Sequence, residues 1–476
     1  MVIVTELMRR GFSAYVVGGP VRDMIIGREP KDWDVTTSAR PDDIQAIFTD
    51  SFYENDFGTV AIKTGSEKPG LQIVEVTTFR KEGKYSDLRH PDEVIFTESV
   101  EEDLSRRDFT MNAMALSAEG KIIDPFGGAA DIAAKLIRTV GEAERRFEED
   151  ALRLLRAVRF ATEIGFEIER GTRTAINDKA HLIGAVSRER IRDEFSRIIM
   201  SGETSPAWGI SELENMGLLK YILPELREGI GIGQNKHHIY TVWEHNLRVL
   251  DYAAKNGAGL EVRLAALLHD IAKPKTKAGD GPDSTFYNHE VVGSRVAYQI
   301  LERLKFPKEI SKRVSHLVRH HMFYYNVGEV TEAGVRRFIR RAGEDAIDDL
   351  MLLREADRIG SGVPKAVPYK MRHLRFMIDK VRRDPISPKM LKINGGDLMK
   401  ILAIGPGPRV GFILNALLEE VIDDPSKNTD DYLSSRAAAL NSLSDGDLAA
   451  LFESAKGRKE EFEARAEKEM KRRHKV

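Results

Sequence analysis

Short apolar runs of β-type character recur through roughly the first 140 residues: Ala14–Val17, Trp33–Thr36, Thr59–Lys63, Leu71–Thr77 and Lys121–Asp124. Helix-like stretches separate them. After Gly141 the pattern changes. From Glu142 onward almost every segment spaces its apolar residues at the helical period, and strand signals are nearly absent. This predicts an α+β chain, with a mixed α/β head followed by an all-helical remainder. Breaks at Gly281-Pro282, Val363-Pro364, Asp384-Pro385 and Gly405-Pro406-Gly407-Pro408 mark loops or joints. Phe79–Pro91 (FRKEGKYSDLRHP) has no clear period and reads as a loop, either mobile beside a site or an inert piece of surface.

Composition narrows the classes. The 476 residues exceed one ordinary core, so two to four domains are expected. Lysine and arginine (73) nearly balance aspartate and glutamate (75), so a nucleic-acid surface has to be a local patch. Lys471-Arg472-Arg473-His474-Lys475 offers one such patch or a solvated end. There is no cysteine, which excludes disulfides and cysteine-based zinc sites and fits a reducing, cytoplasmic setting. No apolar run of about 18 residues exists, so no membrane span is expected. Val2-Ile3-Val4 precede Arg9-Arg10, the reverse of a secretory signal. Nothing calls for an obligate protein partner.

The candidate chemistry begins in YVVGGPVRDMIIGREPKDWDV (Tyr15–Val35). An apolar run ends at Gly18-Gly19, an amphipathic stretch carries Arg22 and Asp23, and Asp32 and Asp34 flank Trp33 at the start of a second β-type run. Residues two apart on a strand share a face. Two carboxylates side by side repel unless a cation sits between them, and Mg²⁺ takes carboxylate, water and phosphate oxygens. Glycines at the mouth of a helix let backbone N–H groups approach an anion. Each piece alone is common. Joined in this order they point to metal-assisted phosphoryl or nucleotidyl transfer, with triphosphate at Gly18-Gly19 and Arg22 and Mg²⁺ at Asp32 and Asp34.

Two later stretches add polar groups. In LSRRDFTMNAMAL (Leu104–Leu116), Ser105 is positioned to cap a helix and Asp108 and Asn112 fall one turn apart. A ribose and triphosphate, or a neighbouring loop, would satisfy them. In FEEDALRLLRAVRF (Phe147–Phe160), Leu152, Leu155 and Val158 form an apolar stripe and Glu149, Arg153 and Arg156 a polar line. That line is either a solvated face or something more selective. A carboxylate (Asp150) accepts from an exocyclic amine and a guanidinium (Arg153) donates to a ring acceptor. The pair therefore fits the Watson–Crick edges of cytosine and adenine and penalises uracil and guanine.

These motifs, GG-x-V-R-D…D-x-D (Gly18, Gly19, Arg22, Asp23, Asp32, Asp34), RRDFTMNAMA (Arg106–Ala115) and EDALR (Glu149–Arg153), resemble class II tRNA nucleotidyltransferases, the CCA-adding enzymes and their poly(A) polymerase relatives. RERIRDEFSRII (Arg188–Ile199) is similar to the family's neck. The resemblance covers Ala14 to Met200. It implies a polymerase-β-like head, template-free addition of C and A to the tRNA 3′ end from CTP and ATP, and two Mg²⁺ on Asp32 and Asp34. It also implies a nucleotide site of Gly18, Gly19, Arg22, Arg107, Asp108, Asn112, Asp150, Arg153, Arg156 and Arg159, with Glu75 a further acidic candidate. Poly(A) addition, CC-only or A-only addition, a protein uridylyltransferase and an inactive RNA scaffold are the rival readings.

Downstream, most of the histidines fall between His237 and about Asp357, a window that holds His245, His269-Asp270, His289, His320-His321 and Asp357. Imidazole with carboxylate suits Mn, Fe, Co, Ni or Mg better than closed zinc. The order H…HD…D resembles the HD phosphohydrolase superfamily. His245, His269, Asp270 and Asp357 match its four-ligand core, and His289 with His320 or His321 would complete a two-metal site. This implies a phosphatase or 2′,3′-cyclic phosphodiesterase using a divalent transition metal or Mg²⁺. An idle RNA platform is the alternative. The expected division is a head (1–141), a helical neck (142–232), an HD domain (233–365) and a helical tRNA-binding tail (366–476). In the tail, Lys392, Lys400 and Arg409 are candidate phosphate contacts.

Overall fold

The computed structural model describes residues 1–55, 58–83, 93–202, 204–235, 239–362, 369–448 and 450–451. The loop expected over Phe79–Pro91 is described only as far as Gly83, and the basic run at Lys471–Lys475 lies outside the described residues. The chain forms two compact units. One comprises Met1–Arg227 with Gln299–Lys308, the other Glu228–Tyr298 with Glu309–Val476.

The first unit is built on strands β1 (Ala14–Val17), β2 (Asp34–Thr37), β3 (Ser51–Asn55), β4 (Thr59–Lys63), β5 (Ile73–Thr78), β6 (Arg80–Glu82), β7 (Val94–Phe96), β8 (Ala115–Leu116) and β9 (Ile122–Ile123). Seven of them form one mixed sheet in the order β3-β4-β5-β2-β1-β8-β9. Only β2 and β5 run parallel in it, and their register sets Asp34 beside Glu75. On the other side of β2, Asp34 faces Val17, the last residue of β1. A sheet whose central strands end together thus brings the Gly18-Gly19 turn and the carboxylates to one edge. Val16, Val17, Val60, Val74 and Val76 are buried on it, as β-branched residues prefer. β6 and β7 pair separately.

Two expected helices take a different form. Leu104–Leu116 is not one helix. The helix Val100–Ser105 is capped by Ser99, whose hydroxyl accepts from the Glu102 N–H, and Ser105 is its last residue. Beyond it Phe109 bridges Thr139, and the Thr110 N–H donates to the Arg138 carbonyl. That pairing needs extended backbone and buries Phe109, Met111 and Met114 completely. Phe147–Phe160 is likewise two helices, Ala143–Glu149 and Leu152–Ile164. Asp150 between them is extended (φ −139°, ψ 104°) and its Oδ1 accepts from the Leu152 N–H at 3.1 Å. The carboxylate takes the first N–H of the second helix instead of continuing the first helix.

The neck, with helices Leu152–Ile164, Arg188–Met200 and Pro206–Asn215, buries a charged knot. Arg159 is 1% exposed, with Glu194 against its Nε and Glu163 2.5 Å from its Nη1. Arg159, expected at the nucleotide, is thus spent inside the neck. Removing one partner of a buried ion pair leaves the others uncompensated, at about 3–5 kcal/mol. Arg159→Met is therefore expected to lower the urea-unfolding free energy by about 3 kcal/mol.

In the second unit, helices Val242–Lys255 and Ile347–Gly360 pack closely because Gly360 has no side chain. A Cβ there would lie 2.4 Å from Val249 Cγ2 and 3.2 Å from His245 Nδ1. The tail helices Gly395–Leu402, Pro408–Asp423 and Asp430–Asn441 enclose their own core of Leu398, Ile413, Leu417, Leu418, Val421 and Leu433. Arg409, expected on phosphate, clasps this core instead. It donates to the Asn441 and Leu443 carbonyls (2.5 and 2.7 Å) and to Asn441 Oδ1 (2.9 Å). Lys392 and Lys400 are exposed.

Candidate active site and metal centre

At the sheet edge Gly18 has φ +78°, a conformation glycine adopts at no cost. A Cβ on it would stand 2.9 Å from Arg107 Nη1 and 3.6 Å from Asp34 Oδ2. Backbone, guanidinium and carboxylate therefore converge on one point. Asp32 is exposed in the bend before β2, Asp34 opens the strand, and Glu75 is its exposed neighbour in register. Burial pushes the Asp34 carboxyl up, and the Asp32 charge adds to this, while Arg107 pulls it down only in part. A carboxylate held in that state is relieved by a divalent cation, so the donors fit Mg²⁺.

Arg22 is buried, with Asp23 Oδ1 on its Nε and Nη2 (2.9 and 2.7 Å) and Asn112 Oδ1 on its Nη1 (2.8 Å). Asn112 also donates to Asp108 Oδ1 at 3.1 Å. The expected Asp108–Asn112 contact exists, made across a 3₁₀ turn rather than an α-helical one. Asp108 Oδ2 accepts from Arg156 Nε and Nη2 (2.9 and 2.6 Å). Burial opposes that charge, but the Arg156 guanidinium holds the carboxyl far below the ordinary carboxylate range.

Asp150 and Arg153 do not pair with each other. Asp150 is gripped bidentately by Arg190 (3.1 and 2.8 Å). Arg153 donates to Glu149 (2.8 Å) and to the carbonyls of Arg146 and Arg106 (3.1 and 3.0 Å). The last bond, with Arg156 on Asp108, ties the helix Leu152–Ile164 to the 106–108 segment and so to Arg107 at the sheet edge. Arg190 had no signal in the sequence beyond its place in RERIRDEF.

The histidine window closes into one buried cluster. His245 Nε2 lies 3.0 Å from His269 Nε2, 3.2 Å from Asp270 Oδ2 and 3.3 Å from Asp357 Oδ1. His289 Nε2 and His321 Nε2 are 3.3 and 3.9 Å from Asp270 Oδ1. His269, His289 and His321 each direct Nδ1 at a backbone carbonyl, of Ala266 (2.9 Å), Phe286 (2.7 Å) and Val318 (2.7 Å). A carbonyl only accepts, so Nδ1 carries the proton and Nε2 presents a lone pair inward, the tautomer of a metal ligand. Two groups have metal-holding spacing: His245, His269 and Asp270, and Asp270, His289 and His321. Ligand atoms at about 2.1 Å from a cation and at right angles lie about 3.0 Å apart, so the cluster fits a divalent metal.

His320 is not in this cluster. It ends the helix Lys308–His320 and its ring lies tilted against His316 (centroids 4.5 Å apart), whereas His321, one residue past that helix, turns inward. The sequence reading also missed Lys273 and Arg354. Lys273 Nζ lies 2.6 Å from Asp270 Oδ2 and 2.6 Å from Gln234 Oε1, and Arg354 Nη1 lies 2.5 Å from Asp357 Oδ2. Their signal was the spacing of three residues from each carboxylate. Burial opposes both charges, yet the His269 imidazole and the Lys273 ammonium hold Asp270, and Arg354 holds Asp357, well below the ordinary carboxylate range. Two buried aspartates stay ionised beside inward imidazoles.

A mixed-sheet head with carboxylates at its edge, a helical neck and a histidine–aspartate metal module define a nucleotidyltransferase joined to an HD domain. Residues 14–138 match the family model described as the Poly A polymerase head domain. Residues 165–230 match "Probable RNA and SrmB- binding site of polymerase A", and 242–361 match the HD domain. The A-adding tRNA nucleotidyltransferase of Deinococcus radiodurans is 34% identical over 86% of this chain and 91% of its own length. A CCA-adding enzyme of Lactococcus lactis subsp. lactis is 42% identical over 90% and 93%. The crystal structure of the Bacillus stearothermophilus CCA-adding enzyme in complex with CTP superposes with a TM-score of 0.67 at 29% identity, covering 96% of this chain and 97% of that one. The chain belongs to the tRNA nucleotidyltransferase family that includes the CCA-adding enzymes. Among the described residues no helix is long and apolar enough to cross a membrane.

Proposed function

We propose that the chain adds C and A to the 3′ end of tRNA from CTP and ATP without a nucleic-acid template. The observation that carries this is the convergence of Gly18, Arg107 and Asp34 at the sheet edge, tied through Arg106 and Asp108 to the helix that bears Arg153 and Arg156. Asp32 and Asp34 hold Mg²⁺, which lowers the barrier to attack by the tRNA 3′-hydroxyl and offsets charge on the leaving pyrophosphate. The backbone at Gly18-Gly19 and the Arg22 guanidinium take the triphosphate. Asp108, Asn112 and Arg107 orient the sugar and phosphates. Asp150 and Arg153 receive the base. Arg190 and the Leu152 N–H use three of the four lone-pair sites of the Asp150 carboxylate, which leaves one, on Oδ2, for an exocyclic amine.

The test uses tRNAs ending before C74, before A76 and complete, each with single and mixed nucleotides, followed by 3′-end sequencing. C then C then A supports the reading. Addition of A alone makes the chain an A-adding enzyme, and unlimited A a poly(A) polymerase. Asp150→Ala is expected to relax selectivity for C over U by about 1–3 kcal/mol, about 5- to 150-fold in the ratio of kcat/KM values.

For the HD module we propose hydrolysis of phosphate esters at RNA or nucleotide ends, as a phosphatase or 2′,3′-cyclic phosphodiesterase. His245, His269, Asp270 and Asp357, with His289 and His321, hold a divalent metal there, which supplies an activated water. Release of inorganic phosphate from 2′-AMP, and opening of 2′,3′-cyclic AMP, test it with Mn²⁺, Ni²⁺ and Mg²⁺ in turn.

A further inference from the structure

Arg358 follows Asp357 and lies one turn beyond Arg354 on the helix Ile347–Gly360. Its Nε is shut away from solvent with no hydrogen-bond partner. Leaving a buried donor unsatisfied is costly, and more so when the group is charged. Residues four apart on a helix are neighbours, and like charges there repel. Burial, and then the charge of Arg354, push the Arg358 guanidinium down, against a smaller pull from Asp357. Arg354 is already engaged with Asp357, whose other oxygen is 3.3 Å from His245 Nε2.

A charge count sharpens the point. Asp270 and Asp357 are matched by Lys273 and Arg354, each within 2.6 Å of its carboxylate. Arg358 is surplus, before any metal is counted. The helix therefore carries a guanidinium with an unpartnered buried Nε directly after the cluster residue Asp357. A guanidinium fork suits phosphate oxygens, and Arg354 keeps nitrogens beyond the one that meets Asp357.

We propose that Arg354 and Arg358 form the phosphate-receiving edge of the HD centre and hold the non-bridging oxygens of the phosphate ester cleaved there. This rests on the phosphohydrolase reading of the module. In the reaction a water oxygen bonds to phosphorus, the ester P–O bond breaks, and the leaving oxygen takes the proton that water gives up. Arg358 binds the phosphate and transfers no proton.

The test uses the full chain carrying Asp34→Asn, so that the head contributes little metal binding, with Mn²⁺ and inorganic phosphate as probes in isothermal titration. Arg358→Met is expected to weaken phosphate at least tenfold while Mn²⁺ affinity stays that of the parent. With 2′,3′-cyclic AMP as substrate it raises KM by a similar factor and leaves kcat nearly unchanged. Arg358→Lys restores part of the loss. Parental phosphate affinity in Arg358→Met overturns the proposal, even where the parent hydrolyses the ester. Arg358-dependent phosphate binding in a parent that cleaves neither 2′-AMP nor the cyclic ester keeps the phosphate edge and removes the phosphohydrolase reading. A parent that neither binds phosphate nor cleaves either ester removes both.

Discussion

Asp34→Asn should abolish nucleotide addition and leave the protein as stable as before or more so. The two effects have one cause. Asp34 opens β2 beside Glu75, and burial together with the Asp32 charge pushes its carboxyl above the ordinary range. A carboxyl whose pKa is raised by folding favours the native state while it is protonated. That contribution disappears as pH rises through its folded pKa, so at neutral pH the ionised group is a cost. Asparagine keeps the shape and removes the charge, and with it both the cost and a metal ligand. Loss of one group that stabilises transition-state charge costs about 10²–10³ in kcat, and a lost ligand that also loosens Mg²⁺ belongs at the upper end, about 10³. Single-turnover incorporation of labelled CTP reads the loss, filter binding of tRNA should stay parental, and urea unfolding reads the stability. Incorporation within tenfold of the parent would remove Asp34 from the metal site. A lower unfolding midpoint would mean that Asp34 is held by contacts that outweigh its burial.

The sequence carried the strands and the carboxylate edge well because both depend on local pattern. Ala14–Val17 and Thr59–Lys63 appear with the expected bounds, and Asp34 starts β2. Where the reading departed from the structure, partners distant in the chain decided the backbone. Nothing between Phe147 and Phe160 breaks a helix, since the stretch has neither glycine nor proline. The break at Asp150 comes from a carboxylate that takes the first N–H of the helix Leu152–Ile164 and is held by Arg190, forty residues on. Leu104–Leu116 looked helical from its polar spacing. Yet pairing of Phe109 with Thr139 fixes it in extended form, and the Asp108–Asn112 contact survives by another turn. Arg159 stood among candidate nucleotide ligands because it shares a helix with Arg153 and Arg156. Its side chain points to Glu194, which a linear reading cannot show. The same holds at the HD centre, where the helix ending at His320 decides which of two adjacent histidines turns inward.

Stripping divalent metal from the full chain should lower the melting temperature of the unit that carries the HD module and silence ester hydrolysis, while Mg²⁺ alone restores nucleotide addition. His245 Nε2 faces His269 Nε2 at 3.0 Å, and hydrogen bonds donated to Asp270 and Asp357 raise the His245 pKa against the effect of burial. Metal competes with protons for these imidazoles, so its binding should release protons, visible in buffers of different ionisation enthalpy. A ligand at a hundred times its dissociation constant stabilises the native state by about 2.7 kcal/mol. For a unit of this size that is a rise of roughly 5–10 °C on adding Mn²⁺ or Ni²⁺. Asp270→Asn removes the carboxylate common to both metal-holding groups. It should abolish the metal-dependent rise and reduce hydrolysis by about 10³, since the group lies where charge develops. Nucleotide addition by Asp270→Asn should stay parental. A melting rise that persists in Asp270→Asn would place the stabilising metal elsewhere. Hydrolysis that survives both chelation and this substitution would mean that the ester is cleaved outside the histidine cluster.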